Sequence, residues 1–320
     1  MSSGPRLTEL SLEVTNACRH RCIHCSTNGG VAGVAELVQE DRLRVLREAR
    51  DLGLIELRLL GGDPLVRLDD TLGLIDAAAQ LGVQRAVIYT SAVETDLSWI
   101  ESLAAFPSIR IAVEASIYAA SSSIHDSITL VPGSLDRLVI NSRAVLRLGL
   151  ELTWLFVWMD PTSSELASVL ALASEVGVQT VRILRLMPNG RARSNRLLLE
   201  PLDDITHVTA QVLADLAQRF SSIRLEYSKP FTFQLSAGQQ DKPCCGAGGR
   251  QLVIQADGLV LPCIGMKDRP PLRIGNVRTQ TLREILMRSQ SLGFGCLSQQ
   301  FHECPAVLYQ YHPNLIQLAS

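Results

Sequence analysis

The sequence has no long apolar run, no export signal and no large charge of one sign. Its most apolar stretch, Leu148 to Met159, is interrupted by Gly149 and Glu151 and is too short to cross a bilayer. Met1 to Arg6 carries no apolar core of the kind that directs secretion. Together these absences predict a cytoplasmic protein that does not engage a membrane. A net charge of −2 over 320 residues supplies neither a basic face for nucleic acid nor an acidic tail. No G-x-G-x-x-G run follows the first strand-like segment, which counts against a dinucleotide-binding oxidoreductase. Internal repeats and low-complexity tracts are also missing.

What is present is length, a 47% hydrophobic content and eight cysteines. A chain of this size can bury an ample core without staples. Without export signals, the cysteines read more readily as metal or redox ligands than as disulfides. From about residue 7 to about 187, short apolar runs alternate with helical stretches, the rhythm of βα units around a parallel sheet. The expected strands are Leu7 to Val14, Ile55 to Leu60, Ala86 to Tyr89, Ile109 to Ala115, Leu152 to Trp158 and Thr180 to Leu186. Glu36 to Leu52 and Leu135 to Leu148 repeat apolar residues at helical steps. In such a sheet, functional groups belong at the C-terminal strand ends. Near residue 200 the rhythm changes, with a helix expected over Leu202 to Arg219 and a strand over Ile223 to Glu226. Residues 1–200 and 201–320 are therefore expected to be separate domains. Five of the cysteines fall in the second, beside Gln251 to Leu261, where Asp257-Gly258 between apolar runs signals a hairpin.

Directly after the first strand come Cys18, Cys22 and Cys25, a C-x3-C-x2-C spacing. Three thiolates on an iron-sulfur cube leave one iron for a ligand that is not protein. His20 and His24 beside them keep a zinc reading open. The spacing resembles the signature of the radical S-adenosylmethionine enzymes. That resemblance implies an α/β fold, a partial (β/α)6 barrel, with a 4Fe-4S cluster whose open iron holds S-adenosyl-L-methionine. Gly61-Gly62-Asp63-Pro64 at the end of the second strand resembles the family's Gly-Gly-Glu-Pro motif, whose backbone binds the cofactor's amino group. Asp63 replaces the usual Glu, a change of small consequence for a backbone contact. Thr90, Ser91 and Ser116 close the third and fourth strands where family members bind ribose and carboxylate, and helix capping accounts for each hydroxyl equally well. Arg182 and Arg185 lie on opposite strand faces, so at most one faces the barrel and binds the cofactor carboxylate; Arg182 is the candidate. His24 stands where the family has an aromatic residue near the adenine. Glu13, Glu114 and Asp160 are acidic candidates for the barrel interior, and Pro188 to Ala192 resembles a Pro-x-Gly-Arg-Ala segment of family members with cluster-bearing extensions.

Cys245, Gly258 and Cys263, followed by Gly275-Asn276-Val277 and Leu282 to Leu286, resemble the SPASM or twitch extension. Its smaller form implies one auxiliary 4Fe-4S cluster on Cys245, Cys263, Cys296 and Cys304 in a small α+β domain. Gaps of 17, 32 and 7 residues between these cysteines lack the paired knuckles of zinc ribbons, although four thiolates also suit a structural zinc. Cys244 is left over. A spare thiol can be a buried hydrophobe, or it can return a hydrogen atom to a carbon radical and invert a stereocentre.

The resemblance implies hydrogen-atom abstraction from an unactivated carbon by a 5'-deoxyadenosyl radical. Epimerisation with Cys244 as donor is the leading outcome. Dehydrogenation or peptide crosslinking with the auxiliary cluster as electron acceptor is the alternative. Ser116 to Ala119, His125-Asp126 and Val131 to Ser134 resemble a stretch common in peptide-modifying members. Because the cysteine motif starts at residue 18, no room is expected for an N-terminal leader-recognition domain, which keeps an aminoglycoside-type substrate as a rival. A reducing partner such as flavodoxin or ferredoxin is implied. A zinc-binding scaffold without catalysis is the reading from another class.

Overall fold

The computed structural model describes residues 5–30, 35–195, 207–228, 245–267, 272–293, 304 and 306. The six expected strands form within two residues of their expected ends, as β1 (Glu9–Thr15), β2 (Glu56–Gly61), β3 (Arg85–Thr90), β4 (Arg110–Ile117), β5 (Glu151–Trp158) and β6 (Thr180–Arg185). Between them run α1 (Gln39–Asp51), α2 (Leu68–Gln80), α3 (Ser98–Ala104), α4 (Ser122–Thr129), α5 (Ser134–Arg147) and α6 (Leu166–Val176). All neighbouring pairs from β1 to β6 are parallel, the arrangement that βα connections impose.

Helix α1 starts three residues later than the periodicity predicts. The Glu36 carboxylate accepts from the Thr15 hydroxyl and the Asn16 N–H, at 3.1 and 2.7 Å, so this residue ties down the end of β1 instead of opening the helix.

Strand alternation sorts the barrel into two faces. Leu10, Leu12, Leu57, Leu59, Ile88, Val113, Trp154, Phe156 and Ile183 form one buried core with Val45 and Leu46 of α1, Leu74 of α2, Leu138 of α5 and Val169 of α6. On the alternate face, the first position of each of β1 to β5 is charged. In register, Glu9 faces Glu56 and Arg85 faces Arg110, pairs of like charge that oppose pairing on their own. A zigzag of ion pairs reverses that. Arg58 reaches Glu9 and Glu56, Arg85 reaches Glu56 and Glu151, and Arg110 reaches Glu151, at 2.5 to 3.1 Å.

Beyond residue 190 come α7 (Gly190–Ser194), α8 (His207–Arg219) and β7 (Arg224–Tyr227). β7 pairs in parallel with β6, so the barrel sheet runs past the boundary expected near residue 200. The hairpin forms as read, with β8 (Gln251–Ile254) antiparallel to β9 (Leu259–Leu261) and Gly258 at φ +91° in the turn. β10 (Gly275–Asn276) pairs with β9, and α9 (Leu282–Ser291) follows, opened by a reciprocal cap between Thr281 and Glu284. The hairpin does not stand apart. β8 pairs in parallel with β1, and the sheet order is β10-β9-β8-β1-β2-β3-β4-β5-β6-β7. β1 is therefore central, flanked by the βα barrel on one side and the C-terminal strands on the other.

Candidate cofactor and cluster site

The loop after β1 is held from three sides. Gly62 N–H donates to Thr15 O at 2.7 Å and Asp63 N–H to Ala17 O at 2.8 Å, stitching the Gly-Gly-Asp-Pro turn to the residues just before Cys18. Gly61 takes φ +133°, and a Cβ there would lie 2.2 Å from Thr15 O; at Gly62 it would lie 2.1 Å from Ala17 O. Only glycine allows two backbones this close. From α4, Thr129 O and Ile128 O accept from Arg21 and Ile23 N–H at 3.1 and 3.0 Å. From the turn after β6, Arg191 donates to Cys22 O and Gly29 O at 2.7 and 2.9 Å.

Within this loop Cys22 is buried, and Cys18 and Cys25 are half-buried. Burial and the nearby Asp63 push the Cys18 thiol up to about 12, and burial with Cys25 does the same to Cys22. Backbone N–H groups aim at sulfur, His20 at Cys18 and Gly29 at Cys25, each at 3.4 Å. This donor set fits an iron-sulfur cube: three thiols side by side, their charges ready to be drawn out by metal, with N–H donors for the thiolates. Among the described residues, no three His, Cys, Asp or Glu side chains converge where a single ion could sit. Thiolates on a cube stand on separate irons and need no such point. In the iron-free protein the raised thiols carry a sign. Stability held by neutral Cys18 and Cys22 is complete below pH 9 and declines as pH climbs toward 12. Thermal melts of iron-free protein should show that alkaline decline; a flat profile would contradict it.

Asp63 does more than the sequence suggests. Its buried carboxylate accepts from Leu65 N–H at 3.0 Å, the Thr90 hydroxyl at 2.9 Å, and the Ser91 N–H and hydroxyl at 2.9 and 2.5 Å. Thr90 and Ser91 therefore tie the end of β3 to the Gly-Gly-Asp-Pro turn; neither caps the next helix. Pro64 opens a 3-10 turn over Pro64–Arg67, with Asp63 as its cap. Gly61 O accepts the Thr27 hydroxyl at 3.1 Å.

His24 is buried and packs edge-on against Tyr118, with ring centroids 4.7 Å apart. Burial, with Arg191 nearby, lowers it to about 4, so the ring is neutral. Tyr118, which sequence reasoning passed over as a site residue, also brings its hydroxyl to 3.9 Å from Cys22 Sγ, and Ser116 hydrogen-bonds with it. Arg182 faces the barrel interior, where it binds both oxygens of buried Glu114 at 2.7 and 2.6 Å and Glu226 of β7 at 2.8 Å. Glu114 also raises Tyr89 beyond what burial does. Glu13 holds Lys267 at 2.8 Å, both buried. Asp160, the third acidic candidate, is exposed at the start of a 3-10 turn.

The second cysteine set is drawn to the sheet beside β1. Cys245 precedes β8 and Cys263 follows β9; Cys245 and Cys304 are buried in the main core, and half-buried Cys263 packs against it. Burial and Cys245 push the Cys263 thiol up to about 11, and Gly265 N–H points at its sulfur at 3.4 Å. Cys244 and Cys296 lie outside the described residues.

A model of the family described as the Radical SAM superfamily matches residues 12–173. The SPASM model, described as an iron-sulfur cluster-binding domain, matches residues 244–305. Among curated relatives, the PqqA peptide cyclase of Gluconobacter oxydans (strain 621H) is 28% identical over 281 residues, covering 86% of this chain and 75% of its own. That of Ruegeria pomeroyi is 27% identical over 276 residues, 85% of this chain and 72% of its own. Streptococcus suis SuiB bound to S-adenosylmethionine superposes with a TM-score of 0.71 at 18% identity over 88% of this chain; the chain spans 65% of SuiB, under two thirds of its length. Native anSMEcpe with bound AdoMet superposes with a TM-score of 0.69 at 17% identity, covering 93% and 88%. At these identities the two structures share the fold. No helix among the described residues is long and apolar enough to cross a membrane.

Proposed function

We propose, from the premise that this chain belongs to the radical SAM superfamily, that it modifies a ribosomally made peptide at an unactivated carbon and closes an oxidative crosslink. The observation that carries this reading is one sheet serving two thiol sets: Cys18, Cys22 and Cys25 follow β1, while Cys245 and Cys263 bracket the hairpin whose β8 pairs with β1. The peptide class is supported by curated relatives named peptide cyclases, which match most of the chain. When bound, the first cluster with S-adenosyl-L-methionine would supply the 5'-deoxyadenosyl radical, and an auxiliary cluster would serve as acceptor for the electron that crosslinking releases.

The chain's own residues do the holding. Cys18, Cys22 and Cys25 ligate the first cluster, and the Gly61 to Pro64 backbone receives the amino group of the cofactor. Asp63 fixes that turn and, through Thr90 and Ser91, the adjoining strand end. Ser116 lies one strand further round and would serve the cofactor's ribose or carboxylate, while Arg182, three strands round, has its guanidinium taken up by Glu114 and Glu226. His24, held neutral against Tyr118, forms an apolar wall on the adenine side. Cys245, Cys263, Cys296 and Cys304 hold the second cluster. A reducing cytoplasm with flavodoxin or ferredoxin as electron donor suits eight thiols. The second reading is epimerisation, favoured by Cys244, a thiol beyond the four that a cluster needs.

Anaerobically purified protein should be brown, with about eight irons per chain for two cubes; a colourless zinc protein ends the proposal. Deoxyadenosine should form when a precursor peptide is added, and not with an aminoglycoside; the reverse moves the enzyme to the other substrate class. In deuterium oxide a crosslinked product takes up no deuterium at a stereocentre. Uptake that disappears in Cys244→Ala would establish epimerisation instead.

A further inference from the structure

The turn after β6 touches both cysteine loops at once. On one side, Arg191 N–H donates to Cys25 O at 3.0 Å, and its guanidinium donates to Cys22 O and Gly29 O at 2.7 and 2.9 Å. Gly190, at φ +55°, lets the turn approach so closely that a Cβ would stand 2.3 Å from Cys25 O. On the other side, Asn189 Nδ2 donates to Gly265 O at 3.0 Å, and Gly265 N–H points at Cys263 Sγ. Gly265 is itself wedged between Met187 and Ala306, two residues beyond Cys304; a Cβ on it would lie 2.9 and 3.0 Å from them. Asn189 is fully buried, so its amide has no water to fall back on.

Asn189 and Arg191, on either side of Gly190, thus carry hydrogen bonds to the carbonyls of two ligand cysteines in the first set and to the loop of a ligand in the second. Hydrogen bonding of this kind orders loops that have no secondary structure of their own. We propose that Asn189, Gly190 and Arg191 form a positioning bridge that fixes the separation between the two cluster loops. The bridge rests on the reading of Cys245, Cys263, Cys296 and Cys304 as ligands of a second cluster. Asn189 and Arg191 act through the loops they hold.

The test uses loaded enzyme and a distance-sensitive readout. In reduced wild-type protein, the two paramagnetic clusters should broaden each other's electron paramagnetic resonance lines. Asn189→Asp keeps the side chain's size but turns an acceptor toward Gly265 O. Arg191→Lys keeps the charge but cannot span Cys22 O and Gly29 O together. Each variant should retain its iron, change the mutual broadening and lower kcat for deoxyadenosine formation about tenfold or more, the scale seen when groups supporting metal ligands are lost. Unchanged broadening and kcat in both variants overturns the bridge. So does a loss of iron and melting temperature in which the loaded fraction keeps wild-type broadening, because the role is then merely structural. Wild-type protein with only about four irons removes the second cluster and the bridge with it, an outcome recognisable before any variant is made.

Discussion

Gly62→Ala should abolish deoxyadenosine formation. The added Cβ would stand 2.1 Å from Ala17 O and 2.5 Å from Asn16 O, inside any contact real atoms make, and both are backbone atoms that cannot swing aside. Relief requires the turn and the cysteine loop to separate. That breaks the Gly62 to Thr15 and Asp63 to Ala17 hydrogen bonds, and it moves Asp63 relative to Cys18. Misplacement of about 1 Å in a reacting assembly costs on the order of a hundredfold in rate, so turnover should fall by at least that. Gly73→Ala provides the control: its Cβ would meet only the flexible Gln39 side-chain nitrogen, at 3.0 Å, and α2 should carry alanine with turnover unchanged. Wild-type turnover in Gly62→Ala would refute the close-packed turn.

The second large effect lies at Lys267. Its ammonium meets Glu13 at 2.8 and 3.0 Å with both side chains buried, and the Ala256 N–H also donates to Glu13. Lys267→Met leaves a buried carboxylate without a counter-charge, which costs about 3–5 kcal/mol. For a chain of this size the melting temperature should fall by roughly 10 °C. Adding Glu13→Gln removes the stranded charge, and the double variant should regain most of the loss. Additive losses in the double variant would mean that the two groups do not act as a pair.

The pair joins β1 to a residue 254 positions away, just beyond Cys263, and no local pattern announces it. The same holds for Asp63. Its place in a Gly-Gly-Asp-Pro run was legible, and so were Thr90 and Ser91 at a strand end. That one carboxylate collects both hydroxyls depends on β2 and β3 being neighbours in register, Leu59 opposite Ile88. Alternation, a local rule, was enough to say that only one of Arg182 and Arg185 can face the barrel interior. Arg182 faces inward and pairs with Glu226, its register partner on β7, and with Glu114 two strands away on β4, which only the folded sheet brings near. Arg191 stood in a segment already singled out, but its grip on Cys22 O and Gly29 O is made by backbone oxygens, which every residue has.

By itself the sequence determined what short-range chemistry can specify: three thiols at a C-x3-C-x2-C spacing, the βα rhythm, the glycine turn after β2 and the Asp257-Gly258 hairpin. Periodicity, turn chemistry and ligand spacing act over a few residues, so they are written along the chain. Tertiary structure decided which loops share a wall. Placing β8 against β1 brought the second thiol set to the sheet that carries the first, and folding the turn after β6 onto both loops tied them to one segment by hydrogen bonds. Those outcomes depend on strand order and on hydrogen bonds between distant backbones, which are fixed only when the whole sheet closes.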